Sequence, residues 1–260
     1  MKRAWIFTLL LFTFLSACSH VNYQKAIVDV SDVQKAINIA KELDGRNNQS
    51  PPDGLKWFEI RKGAFPVIVT APHSTQPFRE GKYRFSDGGG TAGLAVAIHD
   101  ICNITVLYTT YPSPSDPNFY DDNEFKAQLG KLIVEIKPTL LLDIHASHPY
   151  RPYEVDLGTM NGLSVLDDKD LIPALLNAFK NEGLVSTSVD WFAASDHQTV
   201  TKYASSRGVP SVQLEFSATR MLGDTNDFSA HRFAQALQAV AEFLRTRGLC
   251  ARIDRIGTDK

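Results

Sequence analysis

Three apolar runs, each ending in a residue that can do chemistry, constrain this chain more than any other feature. Residues 139–147 read Thr-Leu-Leu-Leu-Asp-Ile-His-Ala-Ser and deliver Asp143 and His145. Residues 65–73, Phe-Pro-Val-Ile-Val-Thr-Ala-Pro-His, deliver His73, and residues 209–216, Val-Pro-Ser-Val-Gln-Leu-Glu-Phe, deliver Glu215. A short apolar run bounded by polar residues reads as a strand buried on both faces, as in a parallel sheet. In open α/β sheets, ligands bind beyond the carboxyl ends of such strands. Two histidines and a glutamate at three strand ends are the minimum parts of a one-zinc hydrolase.

The intervening segments alternate. A strand over 57–61 precedes the His73 run, a polar loop over 74–90 follows it, and 91–101 is an alanine-rich helix. Residues 104–111 form a strand and 112–118 a proline-rich loop. Asn123 caps a helix to 137 whose Phe125, Leu129, Leu132, Ile133 and Ile136 share one face. A short strand is expected at 154–159, with helices at 168–182, 199–208 and 227–247. This order argues for an α/β fold, a mostly parallel central sheet with helices on both faces. At 260 residues the chain holds one such domain, placed at 55–260. A net charge of −2, with no basic stripe, gives no case for nucleic acid.

The N-terminus carries an address. Lys2 and Arg3 precede an apolar stretch over 4–14, followed by Leu15-Ser-Ala-Cys18. That is a signal peptide, too short to span a bilayer. Leu-Ser-Ala-Cys resembles the lipobox of bacterial lipoproteins, so 1–18 reads as a lipoprotein signal peptide with Cys18 the lipidated residue. The expected location is the cell envelope, lipid-anchored on the periplasmic side of the outer membrane. Residues 19–54 read as a tether with a short helical pattern at Val33, Ile37, Ile39, Ala40 and Leu43. Outside the cytoplasm Cys102 and Cys250 are permitted to pair, and two buried free thiols are the alternative.

Asp143, two residues before His145, projects to the same side of the strand and can orient the imidazole. Glu215 sits in a strand otherwise fit for burial, so an arginine, a metal-bound water or a proton must compensate it. Arg220 is the nearest partner in sequence. A third metal ligand comes from the loop after His73, where Asp87 and Glu80 are the candidates. His148 and His197 are further residues near the site. No Gly-x-Ser-x-Gly elbow occurs, and the glycines at 88–90 lack the Lys-Ser/Thr ending of a phosphate loop.

Ala71-Pro-His-Ser, Arg79-Glu-Gly-Lys with Ser86-Asp-Gly-Gly-Gly-Thr91, Leu142-Asp-Ile-His145 and Gln213-Leu-Glu215 resemble the N-formylglutamate amidohydrolase family. That family belongs to the zinc carboxypeptidase-like amidohydrolases, with a phosphorylase/hydrolase-like α/β fold, and the resemblance spans about residues 57–247. It implies Zn(2+) held by His73, His145 and Asp87, with Glu80 the fallback, and Glu215 as general base. It implies cleavage of an amide bond in a small N-acyl amino acid or glutamyl peptide. Position 76 departs from the carboxypeptidase ligand pattern His-x-x-Glu, being Gln. An anionic substrate needs a cationic clamp, for which Arg79, Arg151 and Arg220 are candidates. A cell-wall peptide amidase or carboxypeptidase, and a non-catalytic envelope lipoprotein on the same scaffold, are the alternatives.

Overall fold

The three apolar runs lie side by side at the centre of a seven-stranded sheet, in a computed structural model that describes residues 26–251. The signal-peptide reading and Cys18 lie outside these residues. Helix α1 (Val30–Asp44) is followed by strands β1 (Phe58–Arg61) and β2 (Phe65–Ala71). A hairpin of β3 (Phe78–Arg79) and β4 (Lys82–Tyr83) leads to helix α2 (Gly89–Cys102) and strand β5 (Ile104–Thr109). Then come α3 (Glu124–Ile136), β6 (Leu140–Ser147), β7 (Val155–Gly158), α4 (Leu171–Asn181) and β8 (Thr187–Val189). The chain continues through α5 (Val200–Ser205), β9 (Ser211–Ser217), α6 (Ala218–Met221) and α7 (Asp227–Thr246).

The strand order is β1-β5-β2-β6-β9-β7-β8. Strands β5, β2, β6 and β9 are parallel, while β1 and β7 run antiparallel to β5 and β9. The expected mostly parallel sheet is therefore present, with two antiparallel pairings added. From β2 the chain steps through α2 to β5 on one side, then through α3 to β6 on the other. The crevice at such a reversal is where open α/β sheets bind ligands, and here it opens between the strands that deliver His73 and His145.

Burial explains the runs. Every residue of β5 is buried, as are the last five of β2. Side chains such as Val67, Val69, Leu142 and Ile144 pack with α1, α2, α4 and α7, whereas Ile68, Leu107 and Leu141 pack with α3 and α5. Helices thus cover both faces. Asn123 caps α3 by accepting from the Lys126 N–H at 2.9 Å, and Phe125, Leu129, Leu132 and Ile133 are buried as their spacing predicts. The hairpin β3–β4 and strand β8 were not legible in the sequence, being short and polar.

The helix within the tether region packs onto the domain. A Cβ on Gly89 or Gly93 would come within 2.2 or 2.5 Å of the carbonyl oxygens of Ala40 and Ala36, so glycine lets α1 and α2 touch backbone to backbone. Asp44 accepts from the Gly89 N–H at 2.7 Å and caps α2 from α1. These contacts start α2 two residues ahead of the expected Thr91. Cys102 and Cys250 form a disulfide joining the end of α2 to the chain after α7. Such crosslinks typically contribute about 2–4 kcal/mol. No helix among the described residues is long and apolar enough to cross a membrane.

Arg220 is not the partner of Glu215. Strand β9 runs straight into α6, which buries the Arg220 guanidinium against Glu154 and places it 2.6 Å from the Gln235 side-chain oxygen. Arg232 lies 3.6 Å from the same carboxylate. Burial alone would raise the Glu154 pKa, but Arg220, the Ser186 N–H and Arg232 outweigh it and hold the carboxyl below its usual range. A depressed carboxylate stabilises the fold above its unfolded pKa and loses that contribution as pH falls through the folded one. Glu154→Gln should therefore lower the unfolding free energy at pH 7, and the gap to wild type should close below about pH 4. Denaturant titrations at both pH values check this.

Candidate metal centre

The sheet face that α3 and α5 cover turns polar at its carboxyl end. Leu141 points under these helices, and the alternation of β6 then places Asp143 and His145 on the same side. Register carries the polar patch across the sheet. Thr70 lies beside Asp143, Gln213 beside Asp143 on the other flank, Glu215 beside His145, and Asp156 beside Glu215. His73 follows β2 by two residues. The hairpin β3–β4 then folds the chain back, so that the Asp87 N–H donates to the His73 carbonyl at 2.8 Å.

His73, Asp87 and His145 each offer a ligand atom, and these atoms lie within 4.8 Å of one another. His145 Nδ1 is 2.8 Å from Asp87 Oδ2, and His73 Nδ1 is 3.7 Å from the same oxygen. Ligands on bonds of ~2.0–2.2 Å in a tetrahedral shell stand about 3.4 Å apart, so this spacing fits a small divalent cation. The far nitrogens are held as well. His73 Nε2 is 2.7 Å from Asp116 Oδ1, and His145 Nε2 is 3.2 Å from Asp143 Oδ2. An imidazole whose outer N–H is held by a carboxylate is oriented and made more basic, the usual surroundings of a metal-bound histidine. The donor set and its backing fit zinc.

The electrostatics follow from this crowding. Burial would lower the His145 pKa, but Asp143 and Asp87 hold it well above the ordinary value. His73 is raised in the same way by Asp116 and Asp87. Glu215 is pushed up to about 7, chiefly by burial, with Asp87 and Asp143 assisting and the two imidazoles opposing. A carboxyl poised there can both take and return a proton near neutrality.

The residues line a cleft of about 470 Å³ together with Arg79, Arg151, His148 and His197. Arg79 is fixed 3.5 Å from Asp116 Oδ2 with its guanidinium 4.9 Å from the centre of the Phe119 ring, and Arg151 lies 4.8 Å over Phe192. Two expected participants do not line it: Arg220 is committed to Glu154, and Glu80 is exposed on the hairpin, 3.8 Å from Arg84. Gln76 faces a separate pocket with Trp57 and Pro112. Among the described residues, Asp87 is the carboxylate grouped with the two imidazoles.

Several residues that hold the site were not among the candidates read from the sequence. Asp116 is fully buried in the proline-rich loop and also accepts from the Asn118 N–H at 2.8 Å. Asn118 accepts from the Val200 N–H at 2.7 Å, which turns its NH₂ toward Gln213, 3.4 Å away. Gln213 in turn donates to Glu215 Oε1 at 3.0 Å. A backbone N–H thus sets both amides, and Gln213 holds one oxygen of Glu215. Lys126, fully buried on α3, joins Asp121 to the Gln198 carbonyl and so ties the loops on that side of the cleft.

No protein-family model matches the chain, and no curated protein matches its sequence. Solved structures do share its fold. A gene product of Agrobacterium tumefaciens aligns with a TM-score of 0.53 at 13% identity over 75% of this chain and 97% of its own. The N-formylglutamate amidohydrolase of Ralstonia eutropha JMP134 aligns with a TM-score of 0.50 at 16% identity, over 75% of this chain and 100% of its own. The likeness read from the motifs is borne out at the level of the fold.

If Asp87 is the carboxylate ligand, Asp87→Asn should abolish stoichiometric zinc binding while Glu80→Gln retains it. Metal analysis of the two purified variants after dialysis against zinc checks this.

Proposed function

We propose that this chain is a zinc-dependent amidohydrolase that cleaves an amide bond of a small N-acyl amino acid, N-formylglutamate-like, or of a glutamyl peptide. The observation that carries the reading is the convergence of His73, Asp87 and His145 beside Glu215 in one cleft. Bound at those three residues, zinc would polarise a carbonyl and lower the pKa of a water molecule toward ~7.

The chain's own groups do the rest. Glu215, held through Oε1 by Gln213, takes a proton from the attacking water and delivers it to the amide nitrogen as the C–N bond breaks. Asp116 and Asp143 keep the imidazoles in place by accepting from their outer nitrogens. Arg79 and Arg151 supply the cationic clamp for a substrate carboxylate, and Arg79 is already fixed by Asp116 and Phe119. The envelope address, with Cys18 lipidated and the domain on the periplasmic side of the outer membrane, is part of the same proposal. The disulfide between Cys102 and Cys250 supports it, since such bonds persist in oxidising compartments.

The test is hydrolysis of a panel of N-acyl amino acids and γ-glutamyl peptides by the zinc-loaded protein. Glu215→Gln should keep its zinc and lose about 10²–10⁴-fold in kcat, the usual worth of general acid–base catalysis. His145→Ala should lose metal and turnover together. Gln213→Leu should lower kcat about tenfold with KM little changed, since it removes one hydrogen bond from the proton carrier. Unaltered hydrolysis in His145→Ala would remove the mechanism.

A further inference from the structure

One wall of the cleft leaves aromatic rings in water. Trp191 is 54% exposed and Phe192 36%, and both line the cavity that holds His73, His145 and Glu215. Exposed apolar surface within a cleft marks a place that a ligand covers.

These rings are mounted rigidly. Asp156, fully buried and the register partner of Glu215, accepts from the Trp191 N–H at 3.1 Å, the Phe192 N–H at 2.9 Å and the Ser188 hydroxyl at 2.7 Å. The Thr159 N–H and hydroxyl each donate to Asp190 at 2.6 Å, securing the turn from the other side. At Gly158 a Cβ would fall 2.4 Å from the Phe192 carbonyl oxygen, so the loop lies directly on β7. Tyr153 meets the Trp191 ring edge-on at 6.2 Å. The strand next to Glu215 therefore fixes both the catalytic carboxyl and the two rings, of which Phe192 carries the Arg151 guanidinium 4.8 Å from its centre and Trp191 is the more exposed.

Polar groups border the rings. His148, Ser195, Asp196 and His197 line the same cleft. A purely aliphatic ligand would cover the rings and leave this border desolvated without partners. A pyranose ring matches both parts, presenting an apolar C–H face to an aromatic plane and hydroxyls at its edge. We propose that Trp191 is the stacking platform of a sugar-binding subsite, with Phe192 and the Arg151 guanidinium over it as the neighbouring wall, so that the substrate carries a pyranose ring beyond its scissile amide. This rests on the amidohydrolase reading for the amide, but sugar binding is measurable without turnover.

The probes are cellotetraose, which has no amide, and the tetramer of N-acetylglucosamine, titrated calorimetrically into the zinc-loaded protein. Saturable binding of at least one is expected, weakened about tenfold or more in Trp191→Ala, the loss of one stacked ring. Trp191→Phe should retain most of it, and Asp156→Asn should weaken it by releasing the loop. Phe228→Ala, an exposed aromatic on α7, should leave it unchanged. Thermal unfolding of each variant verifies the fold, and Trp191→Leu substitutes should Trp191→Ala fail to fold. No binding of either tetramer, or binding indifferent to residue 191, overturns the subsite. Hydrolysis of N-acyl amino acids with no tetramer bound would sink the subsite alone. Tetramer binding lost on Trp191→Ala, with no amide turned over, would sink the amidohydrolase reading alone.

Discussion

Two buried carboxylates gripping two imidazoles are the interaction on which the centre depends. Asp116 and Asp143 are fully buried, and each would be costly there without a partner. Each finds one in the outer nitrogen of a histidine, and Asp143 also accepts from the Thr70 hydroxyl at 2.6 Å. The bargain fixes both rings, which meet edge to face at 4.9 Å, and leaves their inner nitrogens turned toward Asp87. Breaking either pair would strand a charge in the interior as well as free a ring.

The sheet makes this arrangement possible by changing character along its own length. Under α3 and α5 the strands carry Ile68 and Leu141, and one pleat further on the same face carries Thr70 and Asp143. The helices stop covering the face where it becomes polar, and loops take over. Lys126 and Asp156 are the posts of that loop wall, each a buried charge that holds a segment distant in sequence, the Gln198 carbonyl for Lys126 and the Trp191 and Phe192 N–H groups for Asp156. Function occupies the part of the surface that the hydrophobic layers leave uncovered.

The strand-end residues His73, His145 and Glu215 could be singled out in the sequence because three apolar runs stop at titratable residues in one alternating chain, where any one alone reads equally well as a turn cap or an ion pair. The same-side rule that linked Asp143 to His145 applies equally to Gln213 and Glu215, so that positioning amide was within reach. Asp116 was not, since nothing in a proline-rich loop says which histidine it meets. The residues alone left Asp87 and Glu80 open and the resemblance put Asp87 first; the physical reason is the hairpin, which returns the chain to His73 only after Glu80 has been left on the outside. Arg220 misled because nearness in number to Glu215 is not nearness in space: the turn from β9 into α6 carries it to Glu154.

Where α1 sits has an orienting effect. The described chain enters beside α7, with the Ile27 and Val28 N–H groups both 3.0 Å from the Gln238 side-chain oxygen, and α1 then lies against α2. All three helices belong to one side of the sheet, whereas the cleft belongs to the side of α3 and α5. The chain therefore enters the described domain on the face opposite the cleft, and the packing of α1 against α2 leaves the side with the metal centre unobstructed by the first described helix.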